Sequence, residues 1–300
     1  MLEEKRAGFI AVIGPPNSGK STLINHFIGQ KVTIVTRKVQ TTRSIIRGIC
    51  IHEGSQLVFS DTPGIFEPKR RLDRAMVEAA WSSSSDADFT LFLYDSQKSK
   101  VDDETNKILD ELGQAAKKKI LVLNKVDLVD NKTLLPLIKN FEAICSFDAT
   151  FIISALNGEG SKEVLSYLAK NVPKGPWLYP EDDITDLPAR LLAAEITREQ
   201  IFMRLHQELP YGTTVETEDW TERDDGAIVI NQIIYLKKAG HKKIVIGKNG
   251  SMIKMLGKAA RIEIEQTLER SVHLFLFVKV RENWMDDPDR YKIWGLNPNA

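Results

Sequence analysis

Residues Gly14–Ser21 read GPPNSGKS, and they stand between an apolar run, FIAVI at 9–13, and a segment with helical patterning, TLINHFIG at 22–29. A glycine loop that closes a strand and opens a helix turns its backbone amides toward one point, where the helix dipole also favours negative charge. Lys20 and Ser21 complete the pattern, because an ammonium reaches phosphate oxygens and a hydroxyl is a hard ligand for a divalent cation. Gly14, Asn17, Ser18, Gly19, Lys20, Ser21 and Thr22 are therefore candidate phosphate-binding residues.

Outward from this loop the same texture repeats. QLVFS at 56–60, FTLFLYD at 89–95, KKILVLNK at 118–125 and TFIISA at 150–155 are short apolar runs separated by amphipathic stretches. Strands alternating with helices predict an α/β domain over 1–173, with a mostly parallel sheet and helices on both faces. The segment PKGPWLYPEDDITDLP holds four prolines in sixteen residues and an acidic cluster, which predicts a linker at 174–186. Beyond it, Asp186 reads as the cap of an amphipathic helix from about 187 to 209, and strands are expected at 213–220 and 227–236. A basic glycine segment, a helix and a last strand, HLFLFVKV, complete a smaller α+β domain at 187–300.

Composition narrows the setting. Three hundred residues hold about two domains, and 41 Lys and Arg against 41 Asp and Glu give no global field toward nucleic acid or membrane. No run approaches the ~20 apolar residues of a spanning helix, and the amino-terminal stretch is unlike a secretory signal. Cys50 and Cys145 are too few for a disulfide framework, so a reducing, cytoplasmic compartment is expected.

Three further motifs follow the phosphate loop. Asp61-Thr62-Pro63-Gly64 places an aspartate at a strand end, suited to Mg²⁺, and a glycine whose amide can approach a terminal phosphate. Asn124, Lys125 and Asp127 offer a carboxylate that accepts two hydrogen bonds from guanine, a pattern adenine lacks. Ser154 and Ala155 follow TFII. Order and spacing of the four resemble the translation-factor-related P-loop GTPases. That resemblance implies GTP and GDP as ligands and Mg²⁺ held by Ser21, Asp61 and a switch threonine, Thr42 in QTTR at 40–43. Lys20, Thr42 and Gly64 are then the expected catalytic residues, in segments that GTP orders. One position departs from many such proteins: Ile65 stands where a glutamine orients water, so slow intrinsic hydrolysis is expected. Asn17, together with a hydrophobic residue after DxxG, resembles a group in which K⁺ bridges the phosphates.

A second glycine loop, VIGKNGSMIK at 245–254, lies in a stretch from Lys237 to Arg261 with eight Lys or Arg and no acidic residue. It resembles the GxxG clamp of a KH domain of type II, which grips a nucleic-acid backbone. Periodicity alone makes KKIVI a strand; the resemblance makes it a short helix. It also implies RNA contacts from Ile246, Gly247, Lys248, Asn249, Gly250, Ile253, Lys254 and Lys258, the lysines on phosphates and the isoleucines under bases. The acidic stretch Glu216–Asp225 is expected to face away from RNA, and the tail, with Trp284, Tyr291 and Trp294, to pack on the KH domain or else contact a partner. A P-loop GTPase domain joined to a KH domain resembles the Era-like GTPases over essentially the whole chain. That family implies binding to small-subunit (16S) ribosomal RNA near its 3′ end during 30S assembly, and in some members peripheral association with the inner membrane. The alternatives are a GTPase of tRNA modification and an RNA-binding module whose nucleotide site does not turn over.

Overall fold

A computed structural model describes residues 5–98 and 100–299. The chain divides into two compact units. The first comprises Met1–Val32, Thr42–Asp186 and Tyr291–Ala300, and the second Thr33–Thr41 and Leu187–Arg290.

Among the described residues the first unit carries six strands: β1 (Arg6–Ile13), β2 (Ile46–His52), β3 (Ser55–Asp61), β4 (Phe89–Asp95), β5 (Lys118–Asn124) and β6 (Ala149–Ile152). Their order is β2-β3-β1-β4-β5-β6, parallel except for β2, which runs antiparallel to β3. Alternating residues of β1 serve the two faces. Ile10 and Val12 pack with Leu23, Ile24 and Phe27 of α1 (Lys20–Ile28) and with Val164 and Leu168 of α5 (Ser161–Asn171). Ala11 and Ile13 pack with Ala80 of α2 (Arg71–Asp86), Leu109 and Leu112 of α3 (Asp103–Gln114), and Leu137 and Phe141 of α4 (Leu134–Ile144). Burial on both faces is why FTLFLYD and KKILVLNK read as continuous apolar runs, and each wholly buried Leu or Ile contributes about 1.5–3 kcal/mol. The order reverses at β1, so the loop after β1 opens at the topological switch point, where ligands of open α/β sheets bind.

The segment expected as a linker at 174–186 is instead packed within the first unit. The Ile49 amide donates to the Ile184 carbonyl at 2.8 Å, the Gln56 side chain accepts from the Leu178 and Tyr179 amides, and Arg47 pairs with Asp186 at 2.8 Å. Proline breaks helix and leaves an extended strip, which pairs with whatever backbone is open beside it.

The second unit packs α6 (Ala189–Arg204) and α8 (Ser251–Leu268) on one face of a sheet ordered β7 (Thr213–Glu222), β8 (Ile228–Leu236), β9 (Val272–Val280). β8 and β9 are parallel, so the chain must cross over between them, and α7 (Ala239–Ile246) with α8 makes that crossover. Resemblance was the better guide here: KKIVI is helical, not a strand. α6 is shorter than its periodicity predicts, and Pro188, not Asp186, is its N-cap residue. It ends at Arg204 because Leu205 is extended and Gln207 takes a positive φ of 57°. The tail divides as well: Trp284 is buried in the second unit, its indole N–H donating to the Gly212 carbonyl at 3.2 Å, whereas Tyr291, in α9 (Pro288–Ile293), falls in the first, where Arg71 stacks on its ring.

Candidate functional site

Gly14 and Gly19 bracket the phosphate loop at φ 149° and 103°, conformations that a side chain disfavours, and a Cβ would strike the Leu93 carbonyl at the first and the Asn124 amide at the second. The N-cap residue of α1 is Gly19, which has no side chain to cap the helix, so the amides of its first turn stay available to an anion. Lys20 is buried and folded back, its Nζ donating to the Gly14 and Pro15 carbonyls at 3.1 Å each. Burial lowers its pKa to about 8, against a smaller opposing pull from Asp61. Thr22 follows within that turn, and Asn17 is exposed on the loop at φ 63°.

Three oxygens from three segments meet beside this loop. The Ser21 hydroxyl donates to Asp61 Oδ2 at 2.7 Å, the Thr42 hydroxyl does so at 3.3 Å, and the two hydroxyls lie 3.2 Å apart. A buried carboxylate with two hydroxyls is a hard donor set that suits Mg²⁺. Gly64 approaches so closely that a Cβ would sit 3.0 Å from Pro16 Cα, and the next amide, of Ile65, donates to the Gly14 carbonyl at 3.1 Å. DxxG is thereby laid against the phosphate loop.

Asn124 is a brace in this structure. Its amide donates to the Ser18 carbonyl at 2.8 Å and its oxygen accepts from the Ala155 amide at 2.9 Å, which ties the phosphate loop to both base-side motifs. Lys125, in the left-handed region at φ 63°, donates to Asp95 Oδ2 at 2.5 Å, and Asp127 lies exposed on the turn that follows. The Ser18 and Ser154 hydroxyl oxygens are buried with no hydrogen-bond partner among the described residues. Buried polar atoms without partners are rare, and one in the phosphate loop with another in a base-side motif fits a polar ligand.

Ile65 is 5% exposed and packs with Ala11, Ile13 and Phe92. Its side chain serves the core, which explains the missing glutamine better than a loop substitution does. Ile65→Gln is therefore expected to leave GTP turnover within about twofold of the parent while lowering stability by ~1–3 kcal/mol, since a polar group is buried unpaired. Turnover assays and thermal melts check both halves; a large rate gain would contradict this placement.

In the second unit the GxxG turn follows α7 directly. Gly247 and Gly250 both have φ of 76°, and Asn249 between them has φ 53°. A Cβ on Gly247 would come within 2.7 Å of the Met252 backbone nitrogen, so the tight turn requires glycine. Val245 and Leu256 are wholly buried and anchor the two helices, while Ile246 and Ile253 are half-buried and Lys248, Asn249, Lys254 and Lys258 are exposed. The eight predicted RNA-facing residues thus share one turn and the adjoining parts of α7 and α8.

Sequence motifs did not flag the strap Thr33–Thr41. It is built into the second unit: the Val35 amide donates to Glu199 at 2.7 Å, Arg198 donates to the Thr41 carbonyl at 2.5 Å, and Lys38 donates to the Phe202 and Leu205 carbonyls. Thr42, in the oxygen cluster above, is the next residue along the chain. The available signal was a run of polar residues, Thr197–Gln200, buried on a helix otherwise read by its apolar spacing.

Fold and site together define a GTP-binding switch protein with an attached KH domain. The family profile described as 50S ribosome-binding GTPase matches residues 9–125, and that of the KH domain matches 208–285. GTPase Era of Brucella suis is 55% identical over 294 residues, covering 98% of this chain and 94% of that one; GTPase Era of Sinorhizobium medicae is 56% identical over 292, covering 97% and 94%. The structure of an Aquifex aeolicus Era variant bound to GDP·AlF4⁻ superposes with a TM-score of 0.91 at 38% identity, and Era in complex with MgGDPNP and nucleotides 1506–1542 of 16S ribosomal RNA with 0.92 at 37%. Each covers 97% of this chain and 99% of the other. The chain belongs to the Era family of GTPases. Among the described residues no helix is long and apolar enough to cross a membrane.

Proposed function

We propose that this GTPase binds 16S ribosomal RNA near its 3′ end through the KH unit and assists assembly of the small ribosomal subunit, with the nucleotide setting the strength of the RNA grip. The observation that carries the reading is the pairing, on one chain, of the Ser21–Thr42–Asp61 oxygen cluster with an exposed basic GxxG turn. Whole-length likeness to Era bound to nucleotides 1506–1542 supports the choice of RNA.

The functional domains are taken as 1–173 for the nucleotide, with 174–186 packed in the same unit, and 187–300 for RNA. Lys20 bears on the β and γ phosphates, the amides of Gly14 and Asn17–Thr22 cradle them, and Gly64 presents its amide to the γ phosphate. Ser21, Thr42 and Asp61 would hold Mg²⁺, which when bound draws charge from the phosphates as they part. Asp127 accepts from guanine, Lys125 lies along the base, and Asn124, Ser154 and Ala155 shape the pocket. Since Ile65 faces the core, water is oriented by another group, and Asn17 would help hold a K⁺ ion at the phosphate loop. Faster turnover in K⁺ than in Na⁺ is expected; identical rates would remove that ion. Ile246, Ile253 and the GxxG residues with Lys248, Lys254 and Lys258 take the RNA.

The strap supplies a route between the sites. Thr42 would help hold Mg²⁺ in the GTP state, and its preceding residues are held by Arg198 and Glu199 on the first helix of the RNA unit. The family resemblance further supports a cytoplasmic location with peripheral attachment to the inner membrane, for which sedimentation with anionic vesicles is the expected result. Crosslinking the protein to cellular RNA and sequencing the attached fragments tests the main reading. Reads are expected to pile up at the 3′ end of 16S RNA; a pile-up on tRNA would instead support a GTPase of tRNA modification.

A further inference from the structure

We propose that Asp95 is a positioning residue of the guanine-nucleotide site, acting through Lys125; the inference rests on the reading of Lys125 given above. Asp95 ends β4 and lies in register with Asn124 at the end of β5. It belongs to none of the four nucleotide motifs. Its carboxylate nevertheless divides between two tasks: Oδ1 accepts from the Gln97 amide at 3.0 Å, and Oδ2 accepts from Lys125 Nζ at 2.5 Å. Both side chains are largely sheltered, Lys125 at 29% and Asp95 at 16% exposure, so the pair is screened less than a surface pair is.

Lys125 has reason to need an anchor. Its backbone is in the left-handed region at φ 63°, ψ 36°, uncommon for a residue with a side chain. The surroundings hold it there: the Val126 amide donates to the Ile153 carbonyl, and the Leu128 amide donates to the Lys125 carbonyl. Such a conformation at a binding site fixes the direction in which the side chain leaves. A lysine stem is otherwise rich in rotamers, and ordering it on ligand arrival weakens binding. With its ammonium held by Asp95, the stem is ordered in advance, on the residue that follows Asn124, the brace of the phosphate loop, and two before Asp127, where guanine is read. Asp95 thereby contributes equally to GTP and GDP and has no contact with the reacting phosphate. Uniform binding of this kind appears in KM and leaves kcat alone.

The test uses the full chain with Asp95→Asn, Lys125→Met and the double variant, measuring Kd for GTP and GDP, steady-state GTP turnover and thermal midpoints. Asparagine keeps an oxygen for the Gln97 amide, so the turn is retained and only the charge is lost. Asp95→Asn is expected to raise Kd for both nucleotides and KM for GTP by about three- to tenfold, with kcat unchanged. In the Lys125→Met background the same change is expected to add nothing. An equal loss in both backgrounds would show that Asp95 acts through the fold and would overturn the proposal, as would a lowered thermal midpoint with no change in Kd. If Lys125→Met alone leaves Kd unchanged, the reading of Lys125 fails as well, which is a separate result from failure of the coupling.

Discussion

Replacing Lys20 with methionine is expected to weaken GTP and GDP binding by about 10²–10⁴-fold while leaving the nucleotide-free protein at least as stable as the parent. The loss follows from charge-assisted hydrogen bonds, each worth ~1.5–3 kcal/mol, that an ammonium would make to two phosphates. The stability half follows from the pKa. The unfolded chain keeps the Lys20 proton up to its ordinary value of 10.5, whereas the folded chain releases it near 8. Below pH 8 burial of the charge therefore lowers stability, and this penalty fades as pH rises from 8 toward 10.5. Methionine keeps the stem and removes the charge. The same shift predicts a pH profile for the parent: above pH 8 an arriving nucleotide must bind to a neutral amine or take up a proton. Affinity then falls by up to about tenfold per pH unit, and the decline is absent in Lys20→Met. Titration calorimetry at pH 7, 8 and 9, with thermal melts of the nucleotide-free proteins, reads all of this. Unchanged nucleotide affinity in Lys20→Met would remove Lys20 from the phosphate site.

Lys248→Asp combined with Asn249→Asp is expected to weaken RNA binding by about 10²-fold or more without disturbing the fold or basal GTP turnover. Both side chains are exposed, and position 249 sits at φ 53°, a region aspartate tolerates nearly as well as asparagine. The double change turns one positive charge into two negative ones where a phosphate backbone approaches, and that electrostatic contribution is a large share of nucleic-acid affinity. Filter binding of a fragment spanning the 3′ end of 16S RNA measures the loss. The parent should also show a steeper fall of affinity with salt than the variant, since each lysine–phosphate contact releases counterions.

The motifs of the candidate nucleotide site are legible in the sequence because each depends on local chain geometry. A glycine loop between a strand and a helix, an aspartate at a strand end and an asparagine after another strand need no distant residue to be recognised. Asp95 escaped notice because its meaning depends on a parallel partner strand that brings it beside Lys125. The strap at Thr33–Thr41 was hidden for a similar reason: its partners Arg198 and Glu199 lie more than 150 residues away along the chain. KKIVI shows the limit of periodicity, since a short helix and a short strand leave the same apolar trace and only the crossover between the parallel strands β8 and β9 decides. The proline-rich stretch at 174–186 read as a linker because composition reports where helices stop, not what an extended strip pairs with. The formal neutrality of the chain likewise conceals a basic turn and an acidic strand in one domain, and local charge is what an RNA phosphate meets.

The central claim is that the nucleotide sets the RNA grip through Thr42 and the strap behind it. Its most direct test is the affinity of the full-length protein for an RNA of the 16S 3′ end, measured with saturating Mg²⁺ and either GDPNP or GDP. Tighter binding with GDPNP is predicted, and the difference should collapse in Arg198→Ala, which releases the Thr41 carbonyl. Equal RNA affinity in the two nucleotide states of the parent would contradict the claim.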